Sequence, residues 1–325
     1  MDETPLVSII IPVKPGGGVT ALDALHRVDY PYASFEVLLT EGRKPARQRN
    51  RAAALAAGDI LYFLDDDSLV SPGFIRKAAN HFTAVDVAAV GGPSITPASD
   101  SLLQRSFGLV LGSRFGGGGM RNRYRKTGGS RKTCDRELIL CNLGFRKDRF
   151  MELGGFDERL YPNEENELLE RIKRSGGVLV HDPDLAVLRS QRPTLKAFMK
   201  QLFGYGRGRG QQTVLSGVVK PVTFIPSLFV IYLLSLPFAH KAVYYVPLLC
   251  YLIMTLLAAG REMVREGRPG ASLLLPAVFP IFHICYGLGM FRGLFSKASG
   301  KASAEDAQVT IRRLKEFDGD WEQAL

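Results

Sequence analysis

The 325-residue chain has only four cysteines, Cys134, Cys141, Cys250 and Cys285, and no pair stands in Cys-x-x-Cys spacing. A disulfide framework and a zinc site therefore have little support. The chain opens MDETPLVSII, without the basic n-region and cleavage site of a signal peptide. The N-terminal part is accordingly expected to stay in the cytoplasm, where unpaired thiols persist. Gly116–Gly119 has neither a preceding strand nor a Lys-Ser/Thr ending, which argues against a P-loop ATP site. A hydrophobic fraction of 46% with 23% charged residues excludes a disordered chain or a fibre. No internal repeat is evident.

What is present is unevenly distributed. The net charge is +10, and residues 105–149 supply most of it, with twelve basic side chains against three acidic. Residues 221–239, 242–260 and 269–291 contain no Asp, Glu, Lys or Arg. Each run is near or above the roughly 18–20 residues that cross a bilayer core. The expected organisation is a domain over residues 1–210, a membrane region over 211–292 and a polar tail over 293–325. Three helices are expected near 218–239, 242–260 and 270–291.

The first half alternates strand and helix. LVSIIIPV at Leu6–Val13, FEVLL at Phe35–Leu39 and ILYFL at Ile60–Leu64 are short apolar runs that suit buried parallel strands. Helical spacing marks Thr20–Val28, Pro45–Ala57 and Phe74–Phe82 between and after them. A further strand is expected at Val85–Val90, a long mobile loop at 112–132, a helix at 163–172, and an amphipathic helix at Thr194–Tyr205. This pattern predicts an open, mostly parallel α/β sheet, whose ligands bind beyond the carboxyl ends of the strands.

ILYFL runs directly into Asp65-Asp66-Asp67. Two carboxylates at a strand end can share a hard divalent ion, and the ion can bridge phosphate oxygens. A solvated acidic turn is the plain alternative. Four stretches in this order, LVSIIIPV, RQRNRAAALAAGDILYFLDDDS, GGFDERLYPNEENELLERI and an apolar tail, resemble a family 2 inverting glycosyltransferase of the GT-A fold. RPTLKAFMKQLFGYGRGR and FHICYGLGMFRG resemble more narrowly its membrane-attached, succinoglycan-biosynthesis type.

The resemblance implies transfer of a sugar from a nucleotide-sugar donor to a lipid-linked (polyprenyl) or saccharide acceptor, assisted by Mg2+ or Mn2+. It implies attachment to membrane lipids of a bacterial-type inner (plasma) membrane, with the catalytic domain cytoplasmic and no nucleic-acid partner. Pro12 and Val13 would lie under the nucleotide base, and Arg49 and Asn50 in the helix that closes over the donor. Asp67 would ligate the metal, and Asp65 would serve the ribose or the metal. Glu165 would be the catalytic base, with Glu164 beside it.

Three departures from the family pattern stand out. Glu41 stands where an Asp usually binds the base, the catalytic base is Glu rather than Asp, and Arg189 occupies a stretch that often carries a metal-binding His. Arg189 would then meet the diphosphate directly, while His181 is expected at the surface. Arg207 and Arg209 sit between glycines just before the membrane region, suited to donor or acceptor phosphates or to anionic headgroups. The Gln-x-x-Arg-Trp motif of processive synthases is missing after Gln201. A processive synthase and a non-enzymatic membrane-tethered polyanion binder remain the alternatives. Three full membrane crossings are expected on length, although Arg292, Lys297 and Lys301 after the third run argue for a tail on the cytoplasmic side.

Overall fold

The computed structural model describes residues 4–267, 270–296 and 308–322. The chain divides into two compact units. Of the described residues, the first takes 4–95, 125–189 and 308–322, and the second takes 96–124, 190–267 and 270–296. Residues 96–124 and 190–210 thus group with the apolar helices rather than with a domain over 1–210. Residues 308–322, after the apolar helices, belong to the first unit.

In chain order the strands are β1 (Val7–Val13), β2 (Phe35–Gly42), β3 (Ile60–Leu64), β4 (Val87–Gly91), β5 (Ser94–Ile95), β6 (Arg131–Lys132), β7 (Asn142–Arg146), β8 (Val178–His181), β9 (Val187–Leu188) and β10 (Val309–Lys315). The helices are α1 (Ala21–Leu25), α2 (Pro45–Leu55), α3 (Phe74–His81), α4 (Leu102–Gly112), α5 (Lys147–Glu152), α6 (Glu164–Arg174), α7 (Leu195–Ser216), α8 (Ile225–Ser235), α9 (Val246–Glu266) and α10 (Leu275–Phe295).

The first unit is built on an eight-stranded sheet in the order β10-β2-β1-β3-β7-β4-β8-β6. Both faces are covered, which is why its strands read as continuous apolar runs rather than as alternating ones. On one face Ile9, Ile11, Val37 and Tyr62 pack with Leu25 of α1 and Phe74 and Ile75 of α3. On the other, Ile10, Leu38, Leu61 and Phe63 pack with Ala52 of α2, Phe150 of α5 and Leu168 and Ile172 of α6. Each large apolar side chain fully buried there contributes about 1.5–3 kcal/mol.

The sheet is mixed: five of its eight strands, β2, β1, β3, β4 and β8, run one way, and β10, β7 and β6 run the other. β1 pairs parallel with β2 and β3, and β4 with β8. β7 runs antiparallel between β3 and β4, and both outer strands are antiparallel to their neighbours. The chain reaches β7 only after an excursion through residues 96–124, not through a direct crossover helix, and so returns in the opposite direction.

Two other expectations change. His181 is fully buried in β8, not at the surface. The stretch expected to be one long loop over 112–132 contains a 3-10 turn at Gly118–Arg123 and the edge strand β6.

The tail carries a built element. β10 pairs with β2 from Val309 opposite Gly42 to Lys315 opposite Val37. Lys315 is 1% exposed, and its ammonium donates to the carbonyls of Tyr32, Phe35 and Glu316 at 2.6, 3.0 and 2.9 Å. It also sits 3.8 Å from the centre of the Tyr32 ring. Trp321 stacks on His26 at 4.0 Å. A buried ammonium is tolerated because every proton has an acceptor and an aromatic face adds attraction.

The second unit has its own apolar core, formed by Phe107 and Val110 of α4, Phe198 and Leu202 of α7, Ala259 of α9 and Leu275, Phe279 and Phe282 of α10. Three helical stretches in it are long and apolar enough to cross a membrane: Pro221–Phe238, Ala242–Glu266 and Ala271–Phe295. Their positions match the three runs read from sequence.

Candidate active site

The site of the first unit forms at the carboxyl ends of β1, β2 and β3. Gln48 of α2 ties two of these ends together, donating to the carbonyls of Val13 and Thr40 at 2.9 and 2.5 Å. It is 1% exposed and was not singled out in the sequence. Pro12 and Val13 lie in register with Thr40 and Glu41. Glu41 is exposed at the end of β2, flanked on its other side by Thr310 of β10.

Beyond β3, two arginines bind the acidic turn together. Arg49 donates to Asp65 Oδ1 at 3.1 Å and to Glu164 Oε1 at 3.1 Å. Arg189 pairs with Asp65 Oδ2 at 3.1 Å and with Asp67 Oδ1 at 2.6 Å. Five of the sequence candidates, Arg49, Asp65, Asp67, Glu164 and Arg189, are thereby joined in one network, although they lie up to 140 residues apart. Arg49 is 6% exposed at its side chain, and its buried Nε has no hydrogen-bond partner.

α6 delivers the two glutamates. Asn163 takes a left-handed backbone, φ 103°, immediately before the helix. Such a conformation is strained for a residue other than glycine and is tolerated best by Asn and Asp. Asn166 Nδ2 donates to Asn163 Oδ1 at 2.8 Å and to Glu165 Oε1 at 3.1 Å, fixing the first turn. Glu164 and Glu165 are both buried there, where the helix dipole favours negative charge.

Five carboxyls, Asp65, Asp66, Asp67, Glu164 and Glu165, thus face two guanidinium groups. Burial, with this crowding of like charge, raises the pKa of two of these carboxyls. Asp66 is raised by burial and then by Asp67 and Asp65 beside it. Glu164 is pushed up to about 7, chiefly by burial, with Arg49 opposing and Glu165 adding to the rise.

Asn50 is placed differently. Its amide donates to Phe156 O at 2.8 Å and accepts from Phe156 N at 2.9 Å, so it clamps the 154–158 loop. Gly155 in that loop has φ +67°, and a Cβ there would strike the Asn50 side chain. Arg207 and Arg209 lie on α7, in the second unit. There Arg209 is 5% exposed and donates to Gln212 at 2.8 Å.

Among the described residues no group of three or more His, Cys, Asp and Glu side chains converges as a metal cage. The Asp65 and Asp67 carboxylates do converge on one cation, the Arg189 guanidinium. Two carboxylates completed by diphosphate oxygens and water are an adequate set for Mg2+ or Mn2+, so the residues fit a divalent ion.

Residues 24–147, from α1 to the start of α5, match the family described as Glycosyl transferase family 2. The chain carries a glycosyl transferase family 2 domain. It is 27% identical over 168 residues to the succinoglycan biosynthesis protein ExoA of Rhizobium meliloti, covering 50% of this chain and 48% of that protein. It is 28% identical over 122 residues to a glucosyl-dolichyl phosphate glucuronosyltransferase of Haloferax volcanii, covering 36% of each. The chain therefore matches half or less of the length of these relatives.

Among solved structures, the mannosyltransferase PcManGT from Pyrobaculum calidifontis, determined with GDP-Man and Mn2+, superposes with a TM-score of 0.56. Identity is 16%, and the match covers 90% of this chain and 88% of that one. This likeness establishes the fold: the glycosyltransferase domain is a GT-A-like α/β domain. The family match includes Asp65–Asp67 and stops before Glu164, Glu165 and Arg189.

Proposed function

We propose that the protein is a membrane-attached inverting glycosyltransferase that moves a sugar from a nucleotide-diphosphate donor to a polyprenyl-linked or polysaccharide acceptor. One observation carries this reading: Arg49 joins the strand-end Asp65 to the Glu164–Glu165 turn. A phosphate-side acidic pair and an acceptor-side carboxyl pair are thereby held in one frame. Asp67 and Asp65 would hold Mg2+ or Mn2+, whose charge offsets that of the departing diphosphate. Pro12, Val13 and Glu41 frame the nucleotide, Arg189 is positioned for the diphosphate, and Asn50 positions the loop beside it. Arg207 and Arg209 supply charge for phosphates or anionic headgroups.

In the proposed reaction Glu165 takes the proton of the acceptor hydroxyl. The acceptor oxygen bonds to the anomeric carbon from the face opposite the diphosphate. The bond from that carbon to the diphosphate oxygen breaks, and the electron pair leaves with the diphosphate. One displacement without a covalent enzyme intermediate inverts the configuration and requires a single base. Thermal-shift screening of nucleotide-sugars with Mn2+ or Mg2+ tests the reading. One donor class is expected to raise Tm in a metal-dependent way, and no shift with any donor would count against it.

Glu164 makes a pH prediction. Its carboxyl is ionised above about pH 7 and protonated below, and only the ionised form holds Arg49 as an ion pair. kcat/KM is therefore expected to rise through about pH 7, with the limb removed in Glu164→Gln. Gln is chosen over Ala because its amide oxygen still accepts from Arg49, whereas Ala leaves that buried guanidinium without the partner, a loss of about 3–5 kcal/mol. An unchanged limb in the variant would assign it to another group.

Much of the basic stretch is engaged by the chain itself. Arg131 pairs with Glu137 at 3.0 Å, Arg149 with Glu152 at 2.6 Å, and Arg146 donates to Phe82 O at 2.6 Å. These contacts favour the enzyme reading over a polyanion rail. Gln201 donates to Tyr205 Oη at 2.6 Å within α7, a local bond in place of the processive motif.

A further inference from the structure

We infer that the chain crosses the membrane twice, through α8 and α9, and that α10 lies along the membrane surface without crossing. The inference extends the membrane attachment of the preceding reading and is independent of the transfer chemistry.

The first observation is connectivity. β9 pairs with β5 and β10 with β2, so residues 187–188 and 309–315 belong to the same compact unit. The chain leaves that unit after Arg189 and has rejoined it by Val309. A folded sheet occupies one side of a membrane, so the segment between must cross an even number of times. Three crossings, the expectation from length alone, would place β10 opposite the sheet that it completes. The anchoring of β10 is specific: Lys315 is buried with three carbonyl acceptors, and Arg313 donates to Leu55 O at 2.7 Å. Residues 297–307, which include Lys297 and Lys301, lie outside the described residues. Their sequence holds four charges and no apolar run that recrosses a bilayer.

The second observation selects the helix that does not cross. α7 and α10 lie alongside each other through interlocking glycines. A Cβ at Gly206 or Gly210 would strike the α10 backbone at Tyr286 or Met290, and one at Gly289 or Gly293 would strike the α7 backbone at Phe203 or Arg207. The contact continues into Phe198 and Leu202, which share a core with Phe279 and Phe282. α7 meanwhile exposes Lys196 and Lys200. If α10 crossed, these ammonium groups would be carried to its middle, in hydrocarbon, where charge is costly. Of the apolar run in Ala271–Phe295, 44% is buried inside the protein, against 11% in each of Pro221–Phe238 and Ala242–Glu266. α8 and α9 also form a hairpin, with Tyr232 Oη donating to Tyr244 O at 2.8 Å and accepting from Leu248 N at 3.0 Å. The exposed apolar faces of that hairpin fit a bilayer core.

Two crossings also remove the conflict in the charge pattern. The turn between α8 and α9 carries Lys241 as its one Lys or Arg, while Arg261, Arg265 and Arg292 then fall on the same side as the catalytic sheet. That is the distribution the positive-inside rule requires.

Single cysteines at Asp23→Cys, Lys241→Cys and Glu316→Cys, all at exposed positions, test it. Each is placed in the full chain lacking its native cysteines and probed in intact cells and after lysis with a membrane-impermeant maleimide. Asp23→Cys and Glu316→Cys are expected to share one compartment and Lys241→Cys to report the other. Opposite compartments for Asp23→Cys and Glu316→Cys, or one compartment for all three, overturns the inference. If the cysteine-free background fails to insert, short epitope tags at the same positions of the native chain, read by antibody access before and after lysis, give the same three-way pattern.

Discussion

Asp67→Ala is expected to lower transfer by about three orders of magnitude, a loss of about 4 kcal/mol of transition-state stabilisation, while the protein stays folded. Asp67 stands in a strand-end turn with its side chain 42% exposed, so removing it leaves no cavity. The loss follows from its proposed place on the metal and from its 2.6 Å contact to Arg189, which would be released. Asp65→Ala is expected to be nearly as damaging, because Asp65 touches both Arg49 and Arg189. Asp66→Ala should be mild, since the ion pairs to Arg49 and Arg189 run through Asp65 and Asp67 and not through Asp66. Initial rates at saturating metal, with circular dichroism as the folding control, check the series. Full metal-dependent turnover by folded Asp67→Ala would remove the metal assignment.

Glu165→Gln should retain donor binding and lose transfer by about two to four orders of magnitude, the usual contribution of a positioned general base. The amide keeps the shape of the side chain and can still meet Asn166 Nδ2, but cannot accept the acceptor proton. Donor affinity by calorimetry and single-turnover transfer separate the two effects. Lost affinity with a normal residual rate would make Glu165 a donor ligand. Glu164→Gln is expected to cost less than Glu165→Gln, and its cost is expected to appear above about pH 7, where ionised Glu164 holds Arg49.

The strands that carry the site were legible because they are buried on both faces: Ile60–Leu64 was bounded in sequence as the structure has it. The acidic turn followed from its position at that strand's end. The network around it was not legible, because Arg49, Glu164 and Arg189 come from separate elements and meet only through the sheet order. Gln48 and Asn50 look alike in sequence as polar residues of one helix. Only the structure assigns the first to two strand carbonyls and the second to the Phe156 loop.

α4 runs into the start of the basic stretch and has no counterpart among the sequence expectations, although Ser101 and Gln104 form a capping box whose S-x-x-Q spacing is visible in the sequence. β10 lies within the expected polar tail, and its VTIRRLK carries three charges. Leu314 and Lys315 turn inward nonetheless, and the lysine does so only because carbonyls and rings await it. The orientation of β7 depends on the excursion before it, which no local pattern encodes.

The measurement that bears most directly on the central claim is transfer itself. Full-length protein in detergent, given a nucleotide-sugar panel and a polyprenyl-phosphate or saccharide acceptor, is assayed for nucleoside diphosphate release and for glycosylated product. One donor class is expected to be turned over with Mn2+ or Mg2+, with EDTA abolishing the turnover and added metal restoring it. Turnover undiminished by EDTA, or no product from any donor by folded protein that binds polyanions in a steeply salt-dependent way, would contradict the central claim.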